Sequence, residues 1–521
     1  MSNFDSRRKK IIRSNADDKG WRNLELVEGE SFEGDSPSPS AKSLLALIHI
    51  SDLHICDAQS PARLELLDRL ADPHNPMHEV VKLVGTYRSN EILTTQTLES
   101  MVQAINRIEC GLVSDRPIDA VVITGDVTDN AQSNELDWYF TLVDGGELHP
   151  DSGDPTRWEG VSSTDPTTYD TSYWNPEGTP PDCDDDFPRS LYGFPVVKGL
   201  LEAVRKSFIA TGIRHRWFAT HGNHDALIQG TLPGDEYVQN HAIGNKKAVS
   251  LAPDTDLSEL FSNFNQVGPA HYPDPHGAHF RDIASDERRR INEPDSWAKL
   301  HQICSHDHGL DQENILRGTK YWYRDINGVR LISLDTVNPH GGWQGSLDES
   351  QFNWLKKILS DTEPQYFVIL SHHPASTLFN LYQPDGADRR IGEIEVVELL
   401  ANEPRVILWL AGHNHRHKIE KVGDGENYFW HIQTASNIDW PQQGRVVEIL
   451  KDGEKVVIAT SVFDHQSPLS LDEATSNLDS PVNLAGLSRL LAANDWQLRS
   501  GEFDLEQLAG EKEDRNRFLW R

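Results

Sequence analysis

Five short stretches of this chain carry side chains that can hold cations: Asp52-Leu53-His54, Gly125-Asp126-Val127-Thr128-Asp129, Asn223-His224-Asp225, His372-His373 and Gly412-His413-Asn414-His415. Neutral imidazole is the commonest metal ligand, and carboxylate or amide oxygen suits harder divalent ions. On extended backbone, residues two apart share a face, so Asp52 pairs with His54 and His413 with His415. Gly412 lets the backbone come close to whatever that last pair binds. Taken singly, each stretch has an ordinary explanation as polar turn residues. Together, with one of His372 and His373, they offer too many O and N donors for one tetrahedral ion. Two ions roughly 3.5–4 Å apart, bridged by a carboxylate, would use them all. Asp126 is the natural bridge. No cysteine stands among the donors, which points to Mn, Fe, Zn or Mg without choosing among them.

The elements that must position these residues are short apolar runs. Leu44–Ile50, Ala120–Thr124, a stretch near His215–Thr220, Tyr366–Leu370 and Val406–Leu410 each read as a buried strand ending just before one of the five blocks. In layered α/β proteins the rim beyond the carboxyl ends of the strands is where ligands sit. Leu98, Met101, Val102, Ile105 and Ile108 make the stripe of a helix packed on a sheet. Further strands are expected at 321–324 and 329–334, with helices at about 348–359 and 393–402. Strands near 428–434, 444–450 and 455–463 follow, the last two joined at Asp452-Gly453 as a hairpin.

Around this core the reading is looser. Residues 1–43 are polar, closed by Ser36-Pro37-Ser38-Pro39-Ser40, and are expected to be a flexible lead-in. Residues 44–465 form the main domain, with insertions at about 131–212 and 226–318. Trp158, Tyr169, Tyr173, Trp174 and Tyr192 make the first insertion a candidate lid over the site. His301, Cys304, His306 and His308 match no zinc spacing and read as surface residues. Residues 466–521 are expected as a separate helical tail, with Leu484, Leu487, Leu490 and Leu491 on one stripe.

Composition removes several function classes. With 81 acidic and 49 basic residues the formal charge is −32, a surface that repels nucleic acid. The basic runs Arg7-Arg8-Lys9-Lys10 and Arg288-Arg289-Arg290 read as solvated turns or helix faces. Four cysteines without CxxC spacing fit free thiols in a reducing compartment. No 18-residue apolar run and no leader pattern appear, so a soluble, cytoplasmic protein without a membrane partner is expected.

Asp-x-His, Gly-Asp-x-x-Asp, Gly-Asn-His-Asp, His-His-Pro and Gly-His-x-His, in that order, resemble the calcineurin-like metallophosphoesterase superfamily. The resemblance spans about residues 44–465 and implies a four-layer α-β-β-α sandwich with two central mixed sheets. It implies two divalent metal ions: Asp52, His54 and His415 on the first, Asn223, His372 and His413 on the second, and Asp126 between them. His372 is preferred over His373 because the family ligand stands two residues before the position of Pro374. A hydroxide bridging the metals would attack phosphorus, His224 would serve the leaving group, and Asp225 would orient the ring of His224. The Gly-Asn-His-Asp and Gly-His-Asn-His forms are closest to the cyclic-nucleotide and glycerophosphodiester phosphodiesterase branch. The opening Ser51–Asp57 and the long insertions resemble an actinobacterial subgroup. The expected substrate is a small phosphodiester, with a cyclic nucleotide as one case. A phosphomonoesterase is the nearest alternative, a nuclease a second, and a scaffold without metals a third.

Overall fold

In the computed structural model, residues 8–81, 84–252, 254–269, 279–303, 308–499 and 504–521 are described. The strands that matter are β1 (Lys42–Ile50), β2 (Ala120–Thr124), β3 (Trp217–Thr220), β4 (Trp322–Ile326), β5 (Val329–Ser333), β6 (Tyr366–Leu370), β7 (Val406–Ala411), β8 (Lys418–Asp424), β9 (Asn427–Gln433), β10 (Gln443–Asp452), β11 (Lys455–Asp464) and β12 (Arg517–Trp520). They form two six-stranded sheets, ordered β12-β11-β10-β1-β2-β3 and β4-β5-β6-β7-β9-β8. In the first, β1, β2 and β3 run parallel while β10, β11 and β12 add antiparallel strands. In the second, β5, β6, β7 and β9 are parallel, edged by antiparallel β4 and β8. Every residue of β2, β5 and β7 is buried, as parallel strands covered on both faces require.

The main core lies between the sheets, where Leu47, Val122 and Val447 of the first share one cluster with Leu331, Val368 and Leu408 of the second. Helix α1 (Thr94–Ile105) and helix α2 (Ser133–Asp144) cover the outer face of the first sheet through Leu98, Met101, Leu136 and Tyr139. Helix α3 (Glu349–Leu359) and helix α4 (Glu393–Ala401) cover the second through Phe352, Leu355, Val396 and Leu400. The result is the four-layer sandwich. Asp452 and Lys455 pair across the β10–β11 turn, with Gly453 at φ 62°, as the Asp-Gly signal requires.

Outside the sandwich several expectations change. Residues 8–43 are not a flexible lead-in: Lys9–Arg13 pairs with Leu24–Glu28, and Ile11, Trp21 and Leu24 are buried. The 466–521 segment is not separate. Its strand β12 completes the first sheet, and helix α5 (Pro481–Ala492) packs on α1 with Leu484, Leu487, Leu490 and Leu491 buried. The aromatics of the first insertion form no lid. Tyr173 and Trp174 are buried in a satellite core with Trp21, Leu487 and Trp496, and Tyr192 stacks on Trp496. One apolar cluster thus draws the amino-terminal hairpin, the insertion and the carboxyl-terminal helix together, since each has an apolar face too small to be stable alone.

His301 and His308 are not surface residues. His308 stacks on Trp217 at 3.4 Å between centroids, and His301 Nδ1 lies 2.7 Å from the Trp297 carbonyl. Cys304 and His306 lie outside the described residues. Of the basic run at 288–290, Arg289 is fully buried and donates to Ser152 Oγ and the Ala284 carbonyl.

Candidate metal centre

The five blocks meet where the carboxyl edges of the two sheets face each other. Asp52, Asp126 and Asn223 follow the adjacent parallel strands β1, β2 and β3; His372, His413 and His415 follow the adjacent strands β6 and β7. The chain turns sharply at each exit: Asp52, His54, Asp126, His413 and His415 have φ of 53°, 45°, 51°, 69° and 53°. Asp and His tolerate this left-handed region better than most residues, yet each such position costs about 1–3 kcal/mol. Gly412 is required here for a different reason than expected: a Cβ there would fall 1.8 Å from Ser51 Oγ and 2.3 Å from Asp52 Oδ2. The two sheets can bring their rims together only without that side chain.

Two donor sets result. In the first, His54 Nε2 and His415 Nε2 are 3.2 Å apart, and His415 Nε2 is 3.3 Å from Asp52 Oδ1. In the second, His372 Nε2 lies 3.1 Å from Asp126 Oδ2 and 3.2 Å from His413 Nδ1. Asp126 Oδ2 also lies 3.8 Å from His54 Nε2, so it touches both sets. Asn223 donates from Nδ2 to the Gly230 carbonyl at 3.0 Å, while its buried Oδ1 has no hydrogen-bond partner. A buried amide oxygen left bare costs free energy that a cation would recover. The imidazole nitrogens paired at 3.2 Å are close enough to be shared by one cation. This donor set therefore fits two divalent ions.

The electrostatics of the donor side chains point the same way. Burial opposes charge on His372 and His415. Even so, the Asp126 carboxylate pushes His372 up to about 9, and Asp52 with Asp439 pushes His415 up to about 10. Burial holds His413 well below the usual imidazole range, and the neighbouring His373 and His372 add to the effect. Asp52, His54, Asp126, Asn223 and His372 are buried, whereas His224, His413 and His415 are partly exposed and mark the open side.

Of the adjacent pair, His372 turns to Asp126 while its Nδ1 lies 2.9 Å from the Thr124 carbonyl. His373 has both ring nitrogens engaged, by Thr336 Oγ1 at 2.8 Å and the Trp343 carbonyl at 3.0 Å. Asp225 does not orient His224. Its carboxylate accepts from the backbone N–H groups of Val127, Thr128 and Gly222 at 2.9, 3.0 and 2.9 Å and ties the loops after β2 and β3 together. The His224 ring is held instead by the Asp129 carbonyl, 2.6 Å from Nδ1. Asp225 is next to His224 in sequence, but the two side chains have separate partners in the fold.

Sequence reasoning missed the groups behind the first set. His54 Nδ1 is 3.0 Å from Asp129 Oδ1, and His415 Nδ1 is 2.5 Å from Asp439 Oδ2. Asp129 sits in the Gly-Asp-x-x-Asp block, and Asp439 stands beyond the carboxyl end of β9, so the strand-end rule would have found both.

Residues 192–417 match the family model of calcineurin-like phosphoesterases. The match bears out the resemblance expected from the five blocks and supports a metal-dependent phosphoesterase, a family that implies a dinuclear divalent centre. Asp52, His54 and Asp126 precede the matched segment, and the fold brings them to it. Among solved structures, a dimetal phosphatase from Danio rerio is 12% identical and covers 81% of this chain and 100% of its own, with a TM-score of 0.35. The sulfate thiohydrolase SoxB from Thermus thermophilus is 10% identical over 83% of this chain and 58% of its own, at TM-score 0.29. GAP50, the anchor in the inner membrane complex of Plasmodium, is 10% identical over 85% and 95%, at TM-score 0.26. No curated protein matches the chain. Among the described residues, no helix is long and apolar enough to cross a membrane.

Proposed function

We propose that this protein hydrolyses a small phosphodiester at a centre whose two divalent cations are held by Asp52, His54, Asp126, Asn223, His372, His413 and His415. The observation that carries the reading is the bare, buried Oδ1 of Asn223 in a site whose two donor sets share Asp126 Oδ2. When bound, such a pair supplies a water of lowered pKa and clamps the phosphoryl oxygens.

The chain's own residues then have distinct tasks. Asp126 fixes the spacing of the two donor sets, and its Oδ1 accepts from the His224 backbone N–H at 2.8 Å. With Nδ1 committed to the Asp129 carbonyl, the partly exposed His224 has Nε2 as its remaining ring nitrogen for a proton. Burial holds this imidazole down at about 4, so the ring is neutral near pH 7, and a phosphate anion beside Nε2 would favour its protonated form. It then passes that proton to the departing alkoxide.

A diester rather than a monoester is supported by what borders His413. Trp343 lies nearly parallel to that imidazole, 5.9 Å between centroids at 19°, and Phe379 meets Trp343 edge-on at 5.8 Å. Phe379 and Leu381 are 45% and 54% exposed. A diester carries an organic arm on each side of phosphorus, and this apolar ledge accommodates the arm that does not leave. A nucleobase would stack there, which favours a cyclic nucleotide as substrate class. The acidic surface supports a small substrate over a nucleic acid, and thiols rather than disulfides among the described residues support a cytoplasmic location.

Hydrolysis of bis-p-nitrophenyl phosphate, p-nitrophenyl phosphate and 3′,5′-cyclic nucleotides with Mn tests the reading. The diesters should be turned over faster, and a clear preference for the monoester would overturn it in favour of a phosphatase.

A further inference from the structure

Between the Asp52-Leu53-His54 block and helix α1 the chain makes an excursion that places two arginines, the buried Arg63 and the half-buried Arg88, behind the first donor set. Arg63 is 2% exposed. It pairs with Asp129 and donates to Glu91 Oε2 at 2.8 Å, Glu65 Oε1 at 3.2 Å, the Thr86 carbonyl at 2.9 Å and Cys56 Sγ at 2.9 Å. Arg88 grips Asp439 with two nitrogens, at 2.5 and 3.1 Å, and donates to the Gly85 carbonyl at 3.1 Å. Each of these carboxylates accepts from the Nδ1 of one imidazole of the same donor set, Asp129 from His54 and Asp439 from His415. The backbone carbonyl of Asp129 holds His224 as well. The second set has no such backing at His372, whose Nδ1 meets only a backbone carbonyl.

We infer that Arg63 and Arg88 are positioning residues that set the metal affinity of the Asp52–His54–His415 subsite through two Arg–Asp–His relays, leaving the His372–His413 subsite untouched. The physical reason is geometric and electrostatic. The Arg88 guanidinium fixes both oxygens of Asp439 in one orientation, Arg63 holds Oδ2 of Asp129, and a fixed carboxylate fixes the imidazole ring bonded to it. An arginine also lets an anion stay buried behind a metal ligand, where an unpaired carboxylate would be expelled or neutralised. Both relays run in the same order, reach back to one segment of chain and converge on imidazoles whose Nε2 atoms are 3.2 Å apart; the Arg88 guanidinium donates to Asp439 and the Gly85 carbonyl, while its backbone N–H donates to Glu91 Oε2 at 2.9 Å.

This inference rests on the proposed dinuclear centre, and the test separates the two. Mn(II) binding is measured on the full-length wild type, Arg88→Gln and Arg88→Lys by calorimetry and by Mn electron paramagnetic resonance. Wild type should take up two ions, and failure at that step would remove the metal-centre reading itself. Arg88→Gln should bind one ion about 10–100-fold more weakly and the other as wild type does, the usual range for losing a partner behind a ligand. Arg88→Lys, which keeps the charge and loses the fork, should fall between. Asp439→Asn should weaken the same ion, and adding Arg88→Gln to it should cost little more. Unchanged affinity in Arg88→Gln, equal weakening of both ions, or additive losses in the double variant would each overturn the relay. Should Arg88→Gln not fold, Arg88→Lys and Asp439→Asn decide by the same criterion.

Discussion

Behind the imidazoles of His54 and His415 stand carboxylates tied to arginines, whereas His372 rests on the carbonyl of Thr124 and His413 lies alongside Trp343. The same kind of donor is thus fixed by charge on one side of the centre and by backbone and an aromatic ring on the other. Each side keeps one imidazole buried, His54 or His372, and one partly exposed, His415 or His413, and the neutral side borders Trp343 and the exposed Phe379. A site that must hold an ion and also admit a substrate gains from this division. Rigid charge suits the part that stays put, and a neutral rim suits the part that meets an organic group.

The largest effect should come from the residue common to both sides. Asp126→Asn is expected to lower phosphodiester hydrolysis by about 10³-fold or more and to weaken both ions, since Oδ2 reaches into each donor set. Metal analysis together with rates would check it. Loss of only one ion would mean that the two sides are independent and the comparison must be redrawn.

His224→Asn comes next. The rate on a diester with an alkoxide leaving group should fall about 10²–10⁴-fold, and that on a p-nitrophenyl diester far less, because p-nitrophenolate leaves without a proton. Equal losses on both would assign His224 to binding. The smallest effect belongs to the neutral rim. Trp343→Ala should raise KM for a cyclic nucleotide about tenfold, the equivalent of ~1.4 kcal/mol of stacking, while kcat and metal content hold. A fall in metal content would show that the tryptophan supports His413 rather than the substrate.

Much of the sandwich was legible because its strands are buried on both faces and read as unbroken apolar runs, and because the stripe Leu98, Met101, Val102, Ile105 has helical spacing. The excursions were not. Ile11, Trp21 and Tyr173 stand in polar company in sequence, and only their meeting with Leu487 and Trp496 gives them a core. At the centre, the identity of the donors was legible and their surroundings were not. Asp225 looked like a partner of His224 because it is its neighbour, yet three backbone N–H groups of two loops capture its carboxylate.

The sequence by itself determined the seven donor residues as candidates and their place beyond strand ends, since a short apolar run followed by Asp, Asn or His is a local pattern. Tertiary structure alone decided what holds His224, and that Arg63 and Arg88 stand behind the imidazoles. Arg63 meets Asp129 across 66 positions and Arg88 meets Asp439 across 351. Contacts between positions that far apart leave no trace in local spacing; they exist only once two sheets have packed and closed their rims together.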